Sequence, residues 1–221
     1  MNRLTALYLL GFAFLFSCGT PKEIATETTT QNTTPPPAIE IPQKETFPNE
    51  RAIYRASETK LFDLIHTKLE VSFDWDKSWM NGLATITLKP HFYAQDTLVL
   101  DAKGMEIRTV KLNGKPLDFS YENDFLTVKL GKKYKRNDQI TLVIDYTAKP
   151  DERETGGSAA ISSDKGLYFI NPKGEDPSKM PQIWTQGETE ASSVWFPTID
   201  APNQKMTQEV LMTVDDKYTT L

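Results

Sequence analysis

Apolar and polar residues alternate along the chain from residue 65 to residue 76. One set is apolar except for a threonine, and every member of the other set is polar or charged. The sets are Ile65, Thr67, Leu69, Val71, Phe73 and Trp75, and His66, Lys68, Glu70, Ser72, Asp74 and Asp76. A period of two predicts a β-strand with one buried face and one solvent-facing face.

Further strands are predicted at short intervals after this one. The segment SWMNG predicts a turn, and LATITLK predicts a returning strand with Ala84, Ile86 and Leu88 facing inward. Asn113-Gly114 lies between two alternating segments, which predicts a β-hairpin. Four other segments have strand character: TLVLD, DFLTVKL, QITLVIDYTA (with Ile140, Leu142, Ile144 and Tyr146 on one face) and KMTQEVLMTV.

These strands predict an all-β fold. No long helix is predicted after residue 60, and short strands separated by turn residues are typical of an antiparallel sheet or sandwich. Residues 149–181 are loop-like apart from the short apolar segment LYFI. Irregular stretches of that length inside a domain are usually functional or disordered.

The amino terminus has the pattern of a secretion signal. An arginine at position 3 is followed by an apolar run from Leu4 to Phe16, too short to span a membrane as a helix, which needs about 20 residues. LFSCG resembles the bacterial lipobox, so residues 1–17 are predicted to be a lipoprotein signal peptide and Cys18 a lipidated residue. The alternative is an ordinary signal peptide with a chance cysteine.

The chain is therefore predicted to have three parts. Residues 18–50 contain the lipidated cysteine and a Thr/Pro-rich segment with too little apolar surface to fold, which would serve as a disordered tether. Fully extended, such a tether spans on the order of 100 Å. Residues 51–221 form the predicted β domain.

Charge and cysteine content exclude several classes of function. With 25 basic and 30 acidic residues the formal net charge is −5, which gives no overall attraction for nucleic acid. The single cysteine, Cys18, excludes an intrachain disulfide and a cysteine-based metal cage.

His66 and His91 lack the helical spacing that chelates zinc, and hydrogen-bonded or solvated roles are favoured for both. The sequence has no Gly-rich phosphate loop and no Gly-x-Ser-x-Gly motif.

Candidate chemistry is concentrated in TQGETEASSVWFPTIDAP, residues 185–202, where Gln186 and Glu188 flank a glycine. The alternative to a functional role for Gln186 and Glu188 is a polar turn before a strand, because single acidic residues in loops are usually solvated. For Trp184, Trp195 and Phe196, packing in the core or between domains is favoured over ligand stacking.

Three segments in order, GLYF (166–169), WTQGE (184–188) and WFPTIDAPNQK (195–205), make the chain resemble the N-terminal β domain of the aminopeptidase N family of zinc metallopeptidases. The resemblance extends back through GLATITLKP to about Tyr54. It implies a twisted, saddle-like β sheet that lies over a thermolysin-like catalytic domain.

The resemblance also assigns roles to the candidate residues. Gln186 would line the pocket for the first side chain of a peptide, and Glu188 would bind the free α-amine. An α-ammonium has a pKa near 8 and is largely charged at neutral pH, so a fixed, desolvated carboxylate favours a true amino terminus. An internal peptide would leave that carboxylate unpaired. Gly187 would let the backbone turn tightly between the two side chains.

The sequence departs from the family pattern in two ways. Ser193 stands where the family commonly has arginine, and Thr198 where it often has cysteine; the first change would weaken a structural contact. The Gly-Ala-Met-Glu-Asn-type loop, the His-Glu-x-x-His helix, the second zinc-ligating glutamate and the catalytic tyrosine do not occur in this sequence. We therefore expect the chain to be the N-terminal piece of a longer peptidase or a truncated product. No cofactor is expected in this chain, and zinc is expected in the missing catalytic domain.

The expected function is recognition of substrate for a zinc aminopeptidase, without catalysis by this chain alone. The expected partners are a peptide amino terminus, a downstream catalytic domain and, through Cys18, a membrane of the cell envelope, with no nucleic acid. The alternative is a lipid-anchored, non-catalytic β-sheet module for binding or adhesion. A reading frame continuing past codon 221 into His-Glu-x-x-His would favour the peptidase.

Overall fold

The computed structural model describes residues 59–154, 156 and 163–220. In chain order its strands are β1 (Phe62–Asp74), β2 (Trp79–Pro90), β3 (Gln95–Asp101), β4 (Met105–Leu112), β5 (Lys115–Pro116), β6 (Phe119–Glu122), β7 (Phe125–Tyr134), β8 (Ile140–Ala148), β9 (Leu167–Ile170), β10 (Gln182–Thr185) and β11 (Thr207–Thr213). The helical segments of this described part are two short 3-10 turns, Pro150–Glu152 and Ser192–Val194. The all-β prediction is confirmed.

The strands form three sheets. The largest has six strands in the order β11-β1-β2-β8-β4-β5, another has the order β3-β7-β6, and the third is the β9–β10 hairpin. The pairings among these strands are antiparallel except that of β11 with β1, which is parallel and joins segments about 140 residues apart in the chain. Within the described ranges, no helix is long and apolar enough to cross a membrane.

The two larger sheets share one apolar core. Leu69, Ile86 and Leu142 of the six-stranded sheet are fully buried, as are Leu98 and Leu126 of the three-stranded sheet, and all five belong to the same cluster. The predicted inward faces of the second strand and of QITLVIDYTA are confirmed, since each of their named residues is buried. In these two strands the buried side chains therefore follow the period of two.

The first strand contains a β-bulge that the alternation does not reveal. Its register against β2 shifts between Leu64 and His66, so that Ile65 is the extra residue. Phe62 and Leu64 are buried before the bulge, and the buried set resumes at Thr67. The prediction that Ile65 belongs to the buried face was therefore wrong, because one extra residue reverses the side-chain phase of a strand.

The turn between the first two strands lies earlier than predicted. β2 begins at Trp79, so most of SWMNG is strand, and the turn is residues 75–78. Ser78 takes a left-handed φ of 56° there, and Asp74 Oδ1 accepts the Lys77 N–H at 3.1 Å, which satisfies the turn backbone without a glycine. The hairpin at Asn113-Gly114 is confirmed: both residues have positive φ, as a type I′ turn requires.

The predicted signal peptide (residues 1–17), the lipidated Cys18 and the tether (residues 18–50) lie outside the described residues.

Candidate functional site

The candidate loop begins where the β9–β10 hairpin ends. Trp184 of β10 lies opposite Tyr168 of β9, and Thr185 opposite Leu167. The next N–H, of Gln186, donates to the carbonyl oxygen of Gly166 at 2.9 Å. The two-stranded sheet therefore fixes where the loop starts.

Gly166 is the residue against which the loop folds back. Its φ is +68°, and a Cβ added there would lie 2.0 Å from the Ala191 carbonyl oxygen and 2.9 Å from Val194 Cβ. Ala191 in turn donates its N–H to the Gly187 carbonyl oxygen at 3.0 Å. A left-handed conformation and a backbone contact this close both require glycine.

Gln186 and Glu188 are brought together by a contact between them. The Gln186 Oε1 accepts the Glu188 N–H at 3.3 Å, and the peptide bond between Glu188 and Thr189 is cis. A Cβ on Gly187 would lie 2.8 Å from Ser192 Oγ, so the space beside this residue is also restricted. Gln186 is half-buried, whereas Glu188 is exposed. The carboxylate is thus presented at the surface of a short, internally bonded loop.

Ser193 attaches the far side of the loop to the sheet. It is fully buried, and its N–H donates to Asp200 Oδ2 at 2.8 Å while its carbonyl oxygen accepts the Lys103 N–H at 2.7 Å. Asp200 donates its own N–H to Asp101 Oδ2 at 2.8 Å. Lys103 Nζ donates to the Glu190 carbonyl oxygen at 2.6 Å. These contacts, which combine main-chain groups with Asp and Lys side chains, bind the loop to the end of β3 with a serine at position 193.

The segment after the loop is held by a buried tyrosine. Phe196 is 2% exposed and lies in the core, and the Trp195 carbonyl oxygen accepts the Tyr146 hydroxyl at 3.0 Å. Burial raises the pKa of Tyr146 well above its ordinary value, so this hydroxyl remains a donor. A Cβ on Gly82 would lie 2.3 Å from the Tyr146 ring, so the glycine in β2 makes room for the tyrosine.

The hairpin beside the loop carries exposed apolar side chains. Trp184 is 45% exposed and stacks on Tyr168 with ring centroids 4.3 Å apart and an interplanar angle of 7°. Met180 is 79% exposed. Of the three aromatic residues predicted to pack, Phe196 is in the core and Trp195 half-buried, whereas Trp184 lies at the surface, where it is available to a neighbouring domain.

The histidines are occupied by side-chain hydrogen bonds. His66 Nδ1 lies 2.8 Å from Thr207 Oγ1, and His91 Nδ1 lies 2.9 Å from Asp63 Oδ2. Within residues 59–154, 156 and 163–220, no group of three or more His, Cys, Asp and Glu side chains could hold a metal ion. The residues of this part of the chain do not fit a zinc site.

Sequence reasoning missed several residues that position the loop. Asp101 and Tyr146 act from strands far away in the chain, and no local pattern distinguishes them from ordinary strand residues. The position of Gly166 could be noticed in the sequence, because it is a glycine directly before an apolar strand. Its contact with Ala191 was not predictable.

Comparison with known proteins identifies the family. The model of the Peptidase M1 N-terminal domain matches residues 63–221. Leucine aminopeptidase 2 of Saccharomyces cerevisiae is 28% identical over 159 residues, which is 68% of this chain and 22% of the relative, so the chain spans about a fifth of that protein's length.

Two solved structures show the same fold. Yeast LTA4 hydrolase has a TM-score of 0.55 and 26% identity, with 69% of this chain and 23% of that chain covered. A mutant M1 zinc metallopeptidase of Deinococcus radiodurans bound to a Tyr-Ser-Ala substrate has a TM-score of 0.56 and 17% identity, with 68% and 32% covered. Because the family model matches most of the chain, this chain belongs to the Peptidase M1 N-terminal domain family.

Proposed function

We propose that this chain is the substrate-recognition domain of a zinc-dependent aminopeptidase and that it does not catalyse peptide cleavage alone. The observation that carries the proposal is the placement of Glu188: an exposed carboxylate on a loop fixed by Gly166, in a member of the M1 N-terminal family. Relatives named as a leucine aminopeptidase and as a zinc metallopeptidase bound to a tripeptide support a peptide substrate.

Glu188 would bind the α-ammonium group of the substrate. A surface ion pair contributes little in water, whereas a charged hydrogen bond excluded from solvent contributes considerably more. Since Glu188 is exposed in this domain, a second domain must cover it for the pair to discriminate. The stacked Trp184 and Tyr168 rings and the exposed Met180 lie on the adjacent hairpin and offer apolar surface for that covering domain.

Gln186 would line the pocket for the first substrate side chain. Its Oε1 accepts the main-chain N–H of Glu188, which orients the amide group relative to the backbone that carries the carboxylate. In a peptide substrate the α-amine and the first side chain branch from one Cα. A half-buried amide beside the proposed amine-binding group would therefore be close to that side chain. Binding of amine and side chain by neighbouring residues would set the depth to which a peptide enters.

The metal chemistry of such an enzyme would belong to the covering domain. Zinc polarises the scissile carbonyl and activates water in metallopeptidases. Under this proposal, the contribution of the described residues would be to bind the amino terminus, orient it and disfavour peptides without a free amine.

If the reading frame continues past codon 221 into a catalytic domain, the test uses that longer protein. Glu188→Gln keeps the shape of the side chain and removes its charge, and Glu190→Gln is the matched control two residues away, also exposed. We expect Glu188→Gln to lower kcat/KM for aminoacyl anilides by at least about 30-fold, the effect of truncating one partner of a desolvated charge pair, and Glu190→Gln to change it little. Equal values for both variants would refute the role of Glu188. A frame that stops without a catalytic domain would favour the binding module.

We further propose that Cys18 is acylated and that the protein is held at a membrane of the cell envelope. The support is the sequence alone: a short apolar run directly before the single cysteine, followed by a Thr/Pro-rich segment. Two or more acyl chains give stable anchoring. Labelled fatty acid fed to expressing bacteria should enter the protein and should be absent from Cys18→Ser; label retained in the variant would exclude this site.

A further inference from the structure

One end of the domain combines exposed aromatic rings with clustered cations. We call this surface the basic–aromatic end; its members are Phe92, Tyr93, Lys132, Lys133, Lys135 and Arg136. It is built where the loop between β2 and β3 meets the end of β7 and the loop that follows it. It shares no residue with the loop that carries Glu188.

The two loops touch through a cation and a ring. Gln95 at the start of β3 pairs with Tyr134 at the end of β7, which places the loops side by side. The Arg136 guanidinium carbon lies 4.8 Å from the centre of the Phe92 ring. Phe92 is 60% exposed and Tyr93 80% exposed, so both rings project outward beside the positive charge.

The cations at this end are not neutralised by the acids near them. None of the four cations, Lys132, Lys133, Lys135 and Arg136, forms a salt bridge with a described residue. Asp63 is occupied by Lys60 at 2.7 Å and by His91 at 2.9 Å. Asp138 accepts the Lys135 main-chain N–H at 2.8 Å and Asp96 accepts the Thr97 hydroxyl at 3.1 Å, so both keep their negative charge beside the four cations.

Four cations thus stand against two charged acids, Asp96 and Asp138, so this surface is positive although the whole chain carries a formal charge of −5. At physiological salt the Debye length is about 8 Å, so a contacting surface senses these nearby cations rather than distant acids.

The chain enters the domain at the same end. The Leu61 carbonyl oxygen accepts the His91 N–H at 2.8 Å, and Phe62 lies opposite Pro90, so the first strand begins beside the two residues that precede Phe92. Cys18 lies 41 positions before Thr59, the first described residue, so the segment that follows the proposed lipid site joins the domain at this end.

The Glu188 loop lies near the other end of β1. Phe73 contacts Phe169 of β9 with ring centroids 6.3 Å apart, and β9 pairs with the strand that leads into this loop. From Phe62 to Phe73 a strand extends roughly 36 Å. The loop would thus be held away from a surface that contacts the basic–aromatic end.

We propose that the basic–aromatic end docks on an anionic phospholipid surface. Clustered Lys and Arg side chains attract phosphate-bearing head groups, and aromatic rings beside them settle at the level of the head groups. A protein partner fits less well, because lysine is depleted in protein–protein interfaces. This contact does not require the lipid on Cys18, nor does it depend on the role of Glu188.

The test places a polarity-sensitive dye on the surface itself. The full chain carries Cys18→Ala, so it cannot be acylated at that position. It also carries Ala94→Cys beside Phe92 and Tyr93, and the dye is attached to this cysteine. The control carries Asp76→Cys in the exposed turn at the far end of β1. Both are mixed with vesicles of phosphatidylglycerol and phosphatidylcholine, with vesicles of phosphatidylcholine alone, and with soluble glycerol phosphate.

We expect a blue shift at position 94 with the anionic vesicles only, reversed by salt, and none at position 76. Lys132→Gln, Lys133→Gln and Lys135→Gln together should remove most of that shift, since three lysines near an anionic surface contribute on the order of 100-fold in binding. The matched control is Lys173→Gln, Lys179→Gln and Lys217→Gln, three exposed lysines elsewhere. No shift at position 94, equal shifts at both positions, a shift with glycerol phosphate, or equal loss from the two lysine triples would each overturn the proposal.

Discussion

Gly166→Ala tests the idea that one glycine positions the candidate loop. The added Cβ would lie 2.0 Å from the Ala191 carbonyl oxygen, a main-chain atom that cannot rotate away, and 2.9 Å from Val194 Cβ. The φ of +68° is a second cost, because L residues avoid the left-handed region. The Gln186 N–H would also lose its present geometry to the Gly166 carbonyl oxygen.

The two costs can be separated with a matched glycine. Gly174 has a φ of +71°, and a Cβ added there would have no other atom within 4 Å, so Gly174→Ala carries the conformational cost alone. That cost is about 1–2 kcal/mol, and overpacking adds about 1–3 kcal/mol at Gly166. We expect Gly166→Ala to lower the free energy of unfolding by about 2–5 kcal/mol and Gly174→Ala by about 1–2 kcal/mol.

The assay is urea unfolding of the full chain followed by tryptophan fluorescence, with thermal unfolding as a second measurement. For a domain of this size each kcal/mol corresponds to roughly 2–4 °C in Tm. If the two alanine variants lose the same stability, the close contact between Gly166 and Ala191 is not a determinant of the fold, and the loop must be fixed in another way.

Three further predictions concern the core and the site. Tyr146→Phe should cost about 0.5–1.5 kcal/mol in chemical unfolding, because it removes the hydrogen bond from the buried hydroxyl to the Trp195 carbonyl oxygen. The raised pKa of Tyr146 means that the unfolded state releases this proton first, so the free energy of unfolding should fall as pH rises above about 10, and Tyr146→Phe should reduce that fall. Leu126→Ala, at a fully buried position between the sheets, should cost about 2–5 kcal/mol in urea unfolding, and a value below about 1 kcal/mol would contradict its place in the core. In the longer protein, Gln186→Ala should change the ranking of kcat/KM among substrates with different first side chains, whereas a uniform change would exclude a role in that pocket.

Alternation of residue types was sufficient to predict most of the longer strands, but not their irregularities or their pairing. The strands with uninterrupted alternation, such as β8, have the buried face expected. The bulge at Ile65 was unpredictable because apolar residues face the core both before and after it. Phe62 and Leu64 are buried before the bulge, and Leu69 is buried after it. The parallel pairing of β11 with β1 depends on a contact between distant segments, which local periodicity does not encode.

The candidate residues could be chosen from the sequence, whereas the contacts that position their loop could not. Gln186 and Glu188 could be selected because the resemblance names those positions. The burial of Ser193, and its bond to Asp200, come from packing that only the folded chain shows. The exposure of Glu188 was also not expected, because its assigned role requires a desolvated pocket that this domain does not form by itself.

The proposed role of Glu188 is recognition of a free amino terminus, and it can be tested by comparing substrates with and without that amine. In the longer protein, kcat/KM is measured for Glu188 and for Glu188→Gln with an aminoacyl anilide and with the same compound lacking the amine. We predict that the substitution lowers kcat/KM by at least about 30-fold for the amine substrate and has little effect on the other, because the pair is absent there. The same loss with both substrates would contradict the claim.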